Sequence, residues 1–201
     1  MDHQSQLPLD RQTIAALFVQ SDGCYSGMPN VDAWPEQRDA RLYNGPWPVV
    51  AHPPCQRWGR LGTPRPRGRN LRVSGGEIGA DGGCFAAALE SVRRWGGILE
   101  HPAGSYAWRA FGLYEPEGPG WHAWLDGSHT ALVYQSAYGH MAPKATWLYY
   151  VGAVPPPAID MSRPDPGGRI ELMSRKQREA TPRAFAEYLL ECARVARGEC
   201  R

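Results

Sequence analysis

The sequence predicts an α/β fold: an open sheet with helices on both faces, built as a single compact domain over residues 1–201. Three features point there. The run Thr13–Val19 (Thr-Ile-Ala-Ala-Leu-Phe-Val) is apolar without alternation, the pattern of a strand covered on both sides. Two shorter strand pieces, Pro48–Ala51 and Ile98-Leu99, break off at His52-Pro53-Pro54-Cys55 and Glu100-His101-Pro102. Each therefore hands its next side chains to the rim of a sheet, where open α/β folds keep their ligands. Between them, Phe85, Ala88, Leu89, Val92 and Trp95 recur at helical spacing.

The elements follow in order. Met1–Arg11 is polar and reads as a flexible start. Gln20–Pro29 is a turn-rich loop at a strand's carboxyl end, the place for a nucleotide-like cofactor, with Phe18, Asp22 and Gly23 as candidate contacts. It holds only Gly23 and Gly27 and has no G-x-G phosphate fingerprint. Asn30–Trp34 is a short second strand ending near Asp32, whose carboxylate suits a ribose hydroxyl or a solvated turn. Pro35–Tyr43 is a helical turn begun by proline. Gly82-Gly83 leads into a helix over Cys84–Trp95, and Gly96-Gly97 ends it.

Ser105–Trp124 is rich in aromatics: Trp108, Phe111, Tyr114, Trp121 and Trp124 make either a core flap or a base-stacking surface. Thr130–Gln135 and Ala145–Gly152 are strands close enough to pair as a hairpin around the loop Ser136–Lys144. Residues 153–174 form a proline-rich linker. Thr181-Pro182 then opens a closing helix with Phe185, Tyr188, Leu189 and Cys192 on one side.

Composition narrows the function classes. Apolar residues make 42% and charged residues 21% of the chain, which excludes a disordered protein. No run reaches membrane-span length and the polar start has no apolar signal core, so a cytoplasmic protein without membrane contact is expected. Five irregularly spaced cysteines without a CxxC suggest neither a disulfide framework nor a zinc ribbon. His52-x-x-Cys55 is at most half a metal site, with only the scattered His101, His122, His129 and His140 to complete it, and no metal is expected. The net charge of +2 conceals an asymmetry: no acid falls between Asp39 and Glu77, while Arg41, Arg57, Arg60, Arg65, Arg67, Arg69 and Arg72 do. An arginine-rich loop over 59–82 favours a polyanion, nucleic acid first, because guanidinium forks match phosphate oxygens; the alternative is a solvated basic loop.

Pro54-Cys55-Gln56 at one strand end, Glu100 at the next, Tyr138-Gly139 and Val151-Gly152 across the hairpin, and Thr181-Pro182-Arg183 before the last helix stand in a set order over residues 12–195. In that order they resemble the cytosine-C5 DNA methyltransferase family in a reduced, phage- or prophage-type form. The resemblance implies a minimal, Rossmann-like methyltransferase-type sheet without a target-recognition domain, since only Ala153–Ser174 separates hairpin and closing helix. It implies Cys55 as nucleophile and Glu100 as acid. S-adenosyl-L-methionine or a related one-carbon donor would be held by Phe18, Asp22, Gly23, Asp32 and Pro53. DNA would be contacted by His52, Gln56, Arg57, Arg60, Arg65, Arg67, Arg69, Arg72, His101, Tyr138, His140 and Lys144, and a protein partner is a candidate to supply target recognition. If phage-encoded, the protein would work in the host cytoplasm. Three departures stand out: the family's Phe-x-Gly-x-Gly loop is absent from Phe18–Gly27, His101-Pro102 replaces Asn-Val, and Lys144 is the only cation left of two arginines.

The chemistry expected of these residues is covalent catalysis. C5 of a pyrimidine is a poor nucleophile until a thiolate adds to C6 and makes the ring enamine-like. Cys55 would be that thiolate, its pKa lowered by Arg57 and Arg60. A protonated Glu100 would relieve charge at ring N3, Lys144 would hold a phosphate or the base oxygen, and in duplex DNA the base would be flipped out first. Two alternatives keep the fold: a catalytically inactive nucleic-acid-binding or counter-defence protein, and an enzyme of free pyrimidine nucleotides.

Overall fold

The computed structural model describes residues 12–59 and 77–197. Seven strands form one mixed sheet: β1 (Ile14–Val19), β2 (Val31–Pro35), β3 (Val49–Ala51), β4 (Gly97–Pro102), β5 (Gly120–Ala123), β6 (His129–Tyr134) and β7 (Ala145–Val151), in the spatial order β2-β1-β3-β4-β7-β6-β5. β1 is parallel to β2 and β3, and β3 to β4, so their carboxyl ends share one rim. β7 runs antiparallel to β4 and to β6, which brings the end of β6 and the start of β7 to that same rim.

The pleat sorts the core. Ile14, Ala16, Val50, Ile98, Leu148 and Tyr150 face α4 (Arg183–Ala196), packing on its Phe185, Leu189 and Ala193. Their neighbours Ala15, Leu17, Val49, Ala51, Leu99 and Tyr149 face α1 (Cys84–Trp95) and Trp108 of α2 (Tyr106–Ala110). Both faces are thus covered by helices, as the unalternating Ile14–Val19 run requires. The β1–β2 connection contains no helix; its Tyr25 and Met28 drop into the α4 side, and α4 covers what a crossover helix would otherwise cover. Gly97 is fixed by close approach: at φ +128° a Cβ there would meet the Val49 carbonyl oxygen at 2.0 Å, inside the β3–β4 pairing.

Several elements differ from expectation. Ile98-Leu99 is the middle of a six-residue strand rather than a two-residue remnant, because Glu100, His101 and Pro102 continue the pairing with β7. β2 runs on to Pro35, so Asp32 lies near its start instead of its end. β5, hidden in the aromatic stretch, adds a last antiparallel strand beside β6. The aromatic rings there belong mostly to the core: Trp108 is fully buried, and Trp121 Nε1 donates to the Pro157 carbonyl and to Tyr188 Oη. Tyr114 and Trp124 stack on each other at 4.2 Å. That Trp121 contact and the bond from the Asp160 N–H to Tyr138 Oη anchor the proline-rich stretch. The hairpin and the closing helix stand where expected. Among the described residues no helix is long and apolar enough to cross a membrane.

A candidate active site on the carboxyl rim

The first four strands follow the order 2-1-3-4, so connections leave in opposite directions from β1 and β3 and open a crevice between them, the usual ligand position in open α/β sheets. Here the crevice is bridged. Tyr25, from the loop after β1, places its hydroxyl 2.8 Å from His52 Nε2 at the end of β3. His52 Nδ1 lies 3.1 Å from Glu100 Oε2 on β4. The other Glu100 oxygen accepts from Gln135 Nε2 at 3.1 Å, and the same amide nitrogen donates to Thr146 Oγ1 on β7 at 2.9 Å. The Gln135 amide is oriented by Glu100, because an amide oxygen in its place would face a carboxylate. A hydrogen-bonded string therefore crosses the rim from the β1 loop to β7.

The string is nearly dry. Tyr25 is 3% and Gln135 0% exposed, while the side chains of His52 and Glu100 keep 13% and 10%. Burial alone would raise the Glu100 pKa, but the hydrogen bond from His52, the Lys144 ammonium and the electrostatic pull of the two neighbouring imidazoles outweigh it and hold the carboxyl at about 2. Burial, then Cys24 and Glu100, push the Tyr25 phenol well above its usual value. The expectation of a protonated Glu100 is thus corrected for the resting protein: its partners are donors and stabilise the anion.

Cys55 follows His52-Pro53-Pro54 on the same rim, partly exposed. Its thiol is pushed up rather than down: burial and Glu100 raise it, Lys144 opposes them and Glu179 adds to the rise. The lowering expected from neighbouring arginines is not the outcome, since burial first and the Glu100 carboxylate second both disfavour the thiolate. Lys144, at the start of β7, donates to the Ala180 carbonyl at 3.4 Å, and Gln56 Nε2 lies 3.5 Å from Glu179 Oε1. These contacts lay α3 (Arg175–Glu179) against the rim, helped by Lys176, 3.7 Å from Asp22. Cys24 also belongs to this neighbourhood; burial raises its pKa and Arg183 and Lys144 lower it.

Other expected site residues lie elsewhere. His101 follows Glu100 in an extended strand, so the pleat turns it to the opposite face. There it is fully buried against Phe85 and Trp108, with Nδ1 2.8 Å from Ser105 Oγ. Burial lowers its pKa to about 4 against the pull of Glu100 and of the Pro54 carbonyl, which does not close a full hydrogen bond to Nε2. A nucleic-acid contact by His101 is excluded by that position. His140 is buried with Nδ1 within bonding distance of both the amide and the carbonyl of Ala142, so it shapes its own turn. Tyr138 packs on Phe185 and Tyr188, and its hydroxyl accepts from the Asp160 N–H. Arg57 sits in the turn after Cys55, its carbonyl accepting from the Gly79 N–H, and Pro53 is buried in that turn. Arg60, Arg65, Arg67, Arg69 and Arg72 lie outside the described residues.

The residues expected to hold S-adenosylmethionine do not fit that group. Asp32 is engaged by the Arg38 guanidinium and by Trp34 Nε1, in the middle of the β1–β2 pairing instead of at the crevice. Asp22 is 80% exposed and turned to Lys176. A Cβ on Gly23 would meet the Gln20 carbonyl of its own turn at 3.1 Å, so this glycine serves the turn and makes no cradle. Phe18, at the crevice end of β1, has φ +58° where the β1–β2 register shifts; a left-handed aromatic residue at this point is local strain beside the candidate site.

Among the described residues no group of three or more His, Cys, Asp or Glu could hold a metal ion. Two surface clefts, one along α1 at Leu89 and Phe111 and one between Trp95 and Arg197, include none of the rim residues. The rim residues not anticipated are Tyr25, Gln135, Thr146 and Glu179. Comparison with protein-family models and with curated proteins finds no match for this chain.

Proposed function

We propose that the carboxyl rim is the active site of a small base-modifying transferase that activates C5 of a pyrimidine, cytosine in DNA, through Cys55. The observation that carries this reading is the presence of Cys55 and Glu100 on one rim at the ends of adjacent parallel strands, within the electrostatic reach of Lys144. That is the juxtaposition the cytosine-C5 methyltransferase resemblance calls for, on a mixed seven-stranded α/β sheet.

The chain's own residues supply the activating half of the reaction. The partly exposed Cys55 thiol gives its proton to solvent and the thiolate adds to C6, the C5–C6 electrons shift to C5, and negative charge spreads toward N3. Lys144 attracts the phosphate or base oxygen next to this centre. The carboxylate of Glu100 would be the hydrogen-bond partner that N3 gains. No step is routed through S-adenosylmethionine, whose expected contacts do not fit.

The test is the mass of nucleosides from DNA exposed to the protein in cells. The reading predicts a cytosine carrying one added carbon group, lost when Cys55 is replaced by Ala; an unmodified nucleoside pool contradicts it. One feature favours a second reading, a catalytically inactive methyltransferase-like nucleic-acid-binding or counter-defence protein: burial and the Glu100 carboxylate push the Cys55 thiol pKa up, which disfavours the thiolate. That reading predicts salt-dependent DNA binding that survives Cys55→Ala, with no modified base.

A further inference from the structure

Resting on the cysteine-addition reading, we propose that His52 is the proton store of the site: it supplies, through Glu100, the proton that the base takes at N3 when Cys55 adds at C6. The string of bonds is arranged for this transfer. Glu100 has donors on both oxygens, Gln135 on Oε1 and His52 on Oε2, so it is held as an anion and cannot itself store the acid. His52 is the member of the string bonded to Glu100 whose ring can carry a proton on either nitrogen. In its protonated form Nδ1–H donates to Glu100 and Nε2–H donates to the Tyr25 oxygen, which satisfies every ring proton. After transfer the neutral ring keeps Nε2–H on Tyr25, so one tautomer is defined throughout.

The bookkeeping closes. Thiolate, imidazolium and neutral base become a thioether at C6, a neutral imidazole and a base protonated at N3; Glu100 begins and ends as carboxylate. The proton moves from His52 Nδ1 to Glu100 and from Glu100 to N3. A negative and a positive charge, both costly in a dry site, disappear together. His52 is thus a positioning residue that acts through Glu100, and Tyr25 holds its ring. The titratable groups around this pair are Tyr25 and Cys24 from the β1–β2 loop, Cys55 from the same turn, His101 behind β4 and Lys144 from β7.

The test is release of tritium from DNA labelled at cytosine C5. Thiol addition, solvent protonation at C5 and elimination exchange this hydrogen without any group donor. With a stored proton on His52, the wild-type rate levels off with rising pH, because each gain in thiolate is matched by a loss of imidazolium. In His52→Gln, which keeps a donor to Glu100 but stores no proton, the rate is about a hundredfold lower at neutral pH and keeps climbing about tenfold per pH unit. In Tyr25→Phe, which removes the acceptor for Nε2–H and leaves the ring, the plateau begins at lower pH. Equal rates and equal profile shapes in wild type and His52→Gln overturn the relay and leave the cysteine-addition reading standing. Wild-type protein that releases no tritium overturns both.

Discussion

Glu100 and His101 are consecutive residues of one strand, and the two faces of the sheet treat them oppositely. On the α4 face Glu100 enters a polar string that stabilises its charge, beside a thiol and an ammonium. On the α1 face His101 is shut among Phe85 and Trp108 and is kept neutral. Burial is near complete for both, so burial does not separate them; the partners do. A buried ionisable group becomes chemically useful when donors hold its charged form at an accessible edge, and becomes packing when rings and a neutral hydroxyl surround it.

The contrast can be broken by mutation. Glu100→Ala leaves His52 and Gln135 without their acceptor and removes the anion opposite a stored proton. We expect a loss of about 4 kcal/mol in denaturant unfolding together with loss of tritium exchange. His101→Leu keeps the volume of an apolar nest and loses only the Ser105 bond; stability at pH 8 should change by about 1 kcal/mol, with exchange intact.

The pH dependence of stability sharpens the contrast. His101 takes up a proton near pH 6.5 when unfolded but only at about 4 when folded, so acidification favours the unfolded chain from the first value down to the second. The limb is on the order of 3 kcal/mol and should vanish in His101→Leu. Glu100 has its pKa depressed from 4.5 to about 2, so its contribution is complete above pH 4.5 and fades as pH falls toward 2; that lower limb should vanish in Glu100→Gln instead. Urea midpoints across this range separate the two. The smallest expected effect is Tyr25→Phe, about 1 kcal/mol, since it removes one buried hydrogen bond and no charge.

The sequence made the strand ends readable because proline marks them: Pro53-Pro54 after β3 and Pro102 at the end of β4 announce a rim, and Cys55 with Glu100 are found there. The facing of side chains was less readable. A polar Glu-His pair after two apolar residues looks like the end of a strand, and only the pairing with Trp147 and Leu148 shows that both still belong to it and point apart. Asp32 misled for the same reason, since Val31–Pro35 carries its pairing past the aspartate and Arg38 then claims the carboxylate. Tyr25 is a single polar residue 27 positions before His52, so no local spacing marks it, and Gln135 is marked only as the start of the hairpin segment Gln135–Gly152, not as a partner of Glu100, 35 positions earlier. The closing helix was readable because its apolar spacing is regular and Pro182 fixes its start.

The central claim is that Cys55 adds to a pyrimidine ring at this rim. Denaturing electrophoresis of protein incubated with DNA containing 5-azacytosine tests it directly, because that ring accepts a thiol at C6 without any donor. Wild-type protein and Tyr25→Phe should each give a covalent DNA adduct and Cys55→Ser none; an adduct of equal yield in Cys55→Ser, or none in wild type, would contradict the account.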